Sequence, residues 1–146
     1  MKNNNKQYTI NKQITMNKNS NTKPQKTNNL QVPKYKSNLE ERTLEFSKRL
    51  IKFCQELPVN RINFNLIDQL IRSATSIGAN YREANDSLGK KDFINKLRIA
   101  RKEAKETSYW LELIQYSNKS ENINWLIQET KELRNILSSI ILKLTK

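Results

Sequence analysis

From position 39 onward the apolar residues fall into four segments, each with the three-to-four-residue period of an amphipathic helix. In the first, Leu39, Phe46, Leu50, Phe53 and Leu57 form a one-faced stripe that ends at Pro58, where proline forbids continuation. This predicts a first helix over 39–56, with Ser37 or Asn38 able to cap its start and Glu40 and Glu41 favourable to the dipole in its first turn. The second segment puts Leu66, Leu70, Ala74, Ile77, Tyr81 and Ala84 on one face, with Asn63 or Asn65 as N-cap candidates. It runs to about residue 85, where Asn-Asp-Ser-Leu-Gly reads as a turn. In the third, Phe93, Leu97, Ala100, Ala104, Thr107, Leu111 and Ile114 alternate steps of four and three. The fourth repeats the alternation with Leu126, Thr130, Leu133, Leu137, Ile140 and Leu144. These patterns predict helices over about 90–117 and 122–145, and a sustained 4/3 alternation is the seam of helices packed at about 20°. Short connections between four helices of similar length force antiparallel neighbours. The predicted fold is an all-α, up-down-up-down antiparallel four-helix bundle over 39–146.

Composition narrows the chemistry. The 146 residues are one domain's worth, and two Gly and three Pro are too few for the turns of a β-sandwich or barrel. The absence of His removes the commonest general base and metal ligand, and one Cys makes neither an internal disulfide nor a multi-thiolate zinc site. No Gly-rich phosphate loop, nucleophile elbow or zinc spacing occurs. The expectation is a protein that is not an enzyme, with no metal, no cofactor and no catalytic residue. Cys54 is expected to be a reduced, buried thiol. The start of the chain, a Lys and three Asn, has no apolar core of a secretory leader, and Lys and Ser interrupt even the densest apolar run, 136–144. A soluble cytoplasmic protein without a membrane partner is expected.

The net charge of +13 is unevenly spread. Residues 1–38 hold eight Lys, ten Asn, four Gln and no acid, which leaves the other 108 residues at +5. So few large apolar residues do not offset the entropy of ordering, so 1–38 is expected to be a disordered basic tail. The +5 of the body equals the net charge of the window 72–105 alone. In the third helix Lys91, Arg98, Lys102, Lys105 and Tyr109 lie within roughly 40° of one direction, opposite the apolar seam. Such a line of cations, with Arg72 and Arg101 beside it, suits a phosphate backbone, and the basic tail adds to it. The alternative is an ordinary solvated helix face in a Lys-rich protein.

Three further features have both a functional and a packing interpretation. Gln69, Ser73, Ser76, Asn80 and Glu83 form a polar shoulder on the second helix, either a polar site or a hydrogen-bonded packing seam. Gly78 in the same turns costs about 1 kcal/mol relative to Ala, which close helix approach, within the bundle or between subunits, would offset. Glu106 beside Thr107 is placed to pair with Arg72 or Arg101, as a structural ion pair rather than as an acid–base group. Tyr109, Trp110, Tyr116 and Trp125 surround the connection between the third and fourth helices, as a packed bundle end or subunit interface, or as a stacking surface for bases.

Two of these segments carry a family resemblance. Residues 69–84, QLIRSATSIGANYREA, followed by KDF at 91–93 and ARKEAKETSYWL at 100–111, resemble the two signatures of the four-helix-bundle family of the 23S rRNA intervening-sequence protein. The likeness covers about 39–145 and leaves the tail outside. Ser76, Ile77, Asn80, Glu83 and Phe93 match its recurring positions, with Glu106 and Trp110 as further structural positions in the second run. Ala84 stands where the family usually has Gly. The resemblance implies a left-handed bundle that assembles with itself, with rings of five as the associated form. It also implies a link to genes inserted in ribosomal RNA and to accessory proteins of diversity-generating retroelements, which partner a reverse transcriptase and nucleic acid. It supplies no activity. The function expected is weak, sequence-nonspecific binding of RNA or DNA by a homo-oligomer through the basic face and tail, the alternative being a protein-interaction scaffold or accessory subunit.

Overall fold

Local chemistry fixes where each helix starts and stops. The structure is a computed structural model that describes residues 36–118 and 123–146, so the predicted tail up to residue 35 lies outside the described residues. The helices are α1 (Lys36–Glu56), α2 (Arg61–Asn85), α3 (Lys90–Ser117) and α4 (Ile123–Thr145). α1 begins three residues earlier than its apolar stripe, so Ser37 and Asn38 fall within its range. Once a helix is nucleated, each added residue gains a backbone hydrogen bond without needing an apolar contact. At its other end the Leu57 N–H donates to the Cys54 carbonyl at 3.3 Å, and Pro58 follows. The N-cap of α2 is Asn60, with extended backbone (φ −151°, ψ 168°) and a side chain that accepts the Asn63 N–H at 2.8 Å. Neither Asn63 nor Asn65 caps, because Pro58 ends α1 close enough for α2 to begin at residue 61.

Asn63 has a different task. Its buried amide donates to the Pro58 carbonyl at 2.7 Å and to Asn118 Oδ1 at 3.0 Å, and its own Oδ1 accepts from Asn118 Nδ2 at 2.9 Å. The reciprocal pair clamps the start of α2 to the C-cap of α3. There Asn118 also donates its backbone N–H to the Ile114 carbonyl at 2.8 Å.

The helices meet in the cyclic order α1, α2, α3, α4, most extensively between α2 and α3 and least between α4 and α1, while the diagonal pairs stay apart. This is a four-helix bundle. Its core is the predicted stripes, with Phe46, Leu50, Leu70, Ile77, Leu97, Leu111, Ile114, Leu133 and Leu137 fully enclosed. Four stripe positions differ: Leu66, Phe93, Ile140 and Leu144 are half-buried against the core, and Ile94 and Ile141 are buried where the periods favoured Phe93 and Ile140. A straight helix drifts by about 20° per heptad from a strict 4/3 alternation, so the seam passes to a neighbouring residue near helix ends. Cys54 is buried as expected, and burial pushes its thiol up to about 11.

Specific contacts bind α1 to both of its neighbours. Against α2, a Cβ built on Gly78 would lie 3.1 Å from Thr43 Oγ1 and 3.2 Å from Thr43 Cβ, so the glycine serves close approach within the bundle. Against α4, Arg42 forks onto two carboxylates: Nε and Nη2 reach Glu129 at 2.5 and 2.8 Å, and Nη2 reaches Glu132 at 2.5 Å. The Glu129 side chain is only 10% exposed, so this arginine neutralises a desolvated charge. Its bond, and then that of Gln128, holds the Glu132 carboxyl below the usual carboxylate range. Beside the fork, the Arg49 guanidinium stacks 4.5 Å over the Trp125 ring, which also meets Phe46 at 6.4 Å.

Two stability measurements check these contacts. Thr43 Oγ1 is tied to the Glu40 carbonyl at 2.9 Å and its Cβ cannot rotate away, so α1 must shift to admit a methyl group. Gly78→Ala is therefore expected to lower stability in urea by about 1 kcal/mol despite better helix propensity, with partial recovery when Thr43→Ala is added. Arg42→Met is expected to cost about 1–3 kcal/mol at pH 7 by stranding Glu129, and Arg42→Met with Glu129→Met to recover most of it. Glu132 has a depressed folded pKa, so its part of the stabilisation is present above the unfolded value near 4.3 and is lost as pH falls through the lower folded value. The gap between wild type and Arg42→Met in pH-dependent melts should accordingly narrow on acidification.

Candidate nucleic-acid interface

The basic face follows from burial of the opposite side of α3. Because Leu97, Ala100, Ala104, Thr107, Leu111 and Ile114 are enclosed, residues half a turn away must face water. Lys91, Arg98, Lys102 and Lys105 are all exposed there, along about 21 Å of helix. Among the described residues none of the four is ion-paired, and neither is Arg72 or Arg101. The two arginines do not join the line. Arg101 is half-buried on the flank of α3 that also carries Gln115, whose amide donates to Asn124 of α4 at 3.2 Å. Arg72 is exposed on α2, where its charge acts on Glu103. Burial, followed by the nearby Glu106 charge, raises the Glu103 carboxyl, while Lys102 and Arg72 oppose the shift.

On the α2 side of α3 the polar groups are used within the fold. Lys96 donates to Glu83 at 2.5 Å, a bond that raises the lysine's pKa. The Ser73 and Thr107 hydroxyls lie 3.1 Å apart, each also near a carbonyl of its own helix, Leu70 at 3.2 Å and Glu103 at 2.8 Å. Thr107 is the donor across the helices, its proton shared between the Ser73 oxygen and the Glu103 carbonyl, and Ser73 donates to the Leu70 carbonyl. Asn80 returns its amide to the Ser76 carbonyl at 2.8 Å. Of the polar shoulder, Ser73 and Glu83 thus bridge α2 to α3, Asn80 folds back on its own helix and Gln69 reaches Asp68 beside it, while Phe93 lies half-buried against the core.

Glu106 departs from expectation. It pairs with neither Arg72 nor Arg101 but accepts the Trp110 indole N–H at 3.2 Å, one turn along the same helix. Arg101 lies about 140° away around α3, out of its reach. The four aromatics do not form one cluster either. Tyr109 and Trp110 meet at 5.0 Å and 66°, Trp125 turns to α1, and Tyr116 is 91% exposed. Tyr116 continues the line of the basic face, seven residues beyond Tyr109, a spacing readable in the sequence but overlooked there. No signal in the sequence pairs Asn63 with Asn118.

The structural role of the seam has a direct check. Thr107→Val leaves the Ser73 hydroxyl without its partner across the helices and is expected to cost about 1 kcal/mol in urea unfolding. Ser73→Ala added to it removes both partners and should recover most of the loss.

Among the described residues no helix is long and apolar enough to cross a membrane. No curated protein matches the chain. A solved structure, that of a protein with unknown function from the S23 ribosomal protein family of Bacteroides thetaiotaomicron, is similar at 40% identity and a TM-score of 0.65, over 70% of this chain and 97% of that one. The pattern of the 23S rRNA-intervening sequence protein family matches residues 36–139, through both signature runs and from the start of α1 into α4. On that match the chain belongs to the 23S rRNA-intervening sequence protein family.

Proposed function

We propose that this protein is a non-enzymatic, homo-oligomeric bundle of the cytoplasm that binds RNA or DNA weakly and with little sequence preference. The observation that carries the reading is the line of four exposed cations on α3, none of them ion-paired within the described fold. Unpaired cations release counterions from a polyanion without first breaking an internal salt bridge. Contacts of this kind position a backbone and carry no base information, which accounts for the lack of sequence preference. Self-assembly, for which rings of five are one form, multiplies a weak contact by presenting several such faces, and the basic tails, to one strand. The family's name refers to a sequence within 23S rRNA, and the similar solved protein has unknown function, so neither specifies a reaction.

A second reading, a scaffold or accessory subunit to a partner such as a reverse transcriptase, draws on a different surface. Leu44 and Ile51 of α1 and Phe64 of α2 are 41%, 38% and 75% exposed. Helix geometry puts them on the outer edges of the α1–α2 seam, away from the basic face. That strip suits contact between subunits or with another protein.

Mobility shifts and light scattering against a salt series test both readings. Four phosphate contacts per subunit predict a loss of affinity on the order of a hundredfold between 50 and 200 mM salt. Changing Lys91, Arg98, Lys102 and Lys105 to Glu should abolish the shift, while deleting residues 1–35 should weaken it. A flat salt dependence, or no binding at low salt, removes the nucleic-acid reading. A scattering mass that stays at one subunit with and without RNA removes the oligomer.

A further inference from the structure

We infer that the α3 face takes single-stranded rather than duplex nucleic acid, with bases stacking on Tyr109 and Tyr116. This rests on the nucleic-acid reading above and narrows its ligand class. The line that begins at Lys91 does not end at Lys105. At the helix's 100° advance Tyr109 lies on the direction of Lys91 and Tyr116 within about 20° of it, so cations and then two aromatic rings share a track of about 37 Å.

The rings are available. Tyr109 is 54% exposed and Tyr116 is 91% exposed, whereas Trp110 between them packs against the core. Tyr109 is also held in place. Glu106 accepts the Trp110 indole N–H at 3.2 Å, and the Trp110 ring meets Tyr109 at 5.0 Å and 66°. A ring fixed in this way loses little side-chain freedom when a base stacks on it.

Charge divides the track into two halves. The half with Lys91, Arg98, Lys102 and Lys105 attracts phosphate. The tyrosine half carries no cation on the line and has the exposed Glu112 within about 60° of it, which disfavours phosphate there. A duplex presents phosphates along its length and keeps its base faces stacked inside, so it has nothing to offer the second half. A single strand has free base faces and satisfies both, as in platforms that pair a basic track with aromatic rings.

The test is fluorescence anisotropy of the full chain with labelled single-stranded RNA and DNA oligonucleotides of one sequence, and with the corresponding duplexes. Single strands are expected to bind at least about tenfold more tightly than duplexes. Tyr109→Ala and Tyr116→Ala should each weaken single-strand binding about tenfold, with duplex binding and the salt slope unchanged. Tyr109→Phe and Tyr116→Phe should retain the affinity, because the ring does the stacking. Lys102→Glu with Lys105→Glu should instead weaken both forms and flatten the salt slope. Equal affinity for single strands and duplexes, or tyrosine-to-alanine variants that bind single strands like wild type, overturns the inference and leaves the basic-face reading standing. Absence of binding to every form at low salt overturns both. Helical circular dichroism melts confirm that the variants are folded.

Discussion

Small side chains on the facing surfaces of α2 and α3 govern the arrangement of the bundle. Ser73, Ala100, Ala104 and Thr107 are all enclosed, and they let these two helices make the most extensive contact in the structure. Larger residues at the same positions would hold the backbones apart and break the hydroxyl contact between Ser73 and Thr107. The rotation of α3 about its own axis follows from this contact, and the direction of the basic line follows from the rotation. A face that looks like a surface property is in that sense fixed by the core behind it.

The four helices were largely legible in the sequence because each buries one continuous stripe, and a stripe with helical period leaves its mark in local spacing. The ends of α3 coincide with the predicted range for the same reason, with the Gly89 turn before it and the polar 117–121 stretch after it. The misassignments lie where local spacing has no information. The capping candidates in the sequence are Asn63 and Asn65, whereas the cap is Asn60, set by the distance to Pro58, and Asn63 is taken by a partner 55 residues away. Glu106 shows the same limit: Arg101 is on another side of α3, the Arg72 charge acts on Glu103, and the indole of a tryptophan one turn away is what reaches Glu106.

At the candidate site, the cations of one helix were legible because they depend only on the helical repeat. Arg72 and Arg101 were not separable from them by charge count, since flank and face are properties of packing. The same applies to α1. Its attachment to α4 through Arg42 spans 87 and 90 residues of sequence, beyond any periodicity, yet it is the polar contact that closes the ring of helices along its slightest seam.

The Asn63–Asn118 pair has a meaning for the molecule as a whole. Each amide both gives and receives a hydrogen bond, so the clamp has no net charge for ions to screen and no proton to lose between acid and alkaline conditions. The end of α3 beyond Tyr116 is therefore anchored by a contact indifferent to the ionic conditions that control a charged surface. Shape at that end is uncoupled from electrostatics along the rest of the helix, and the surface can gain or release a polyanion while the frame that carries it stays the same.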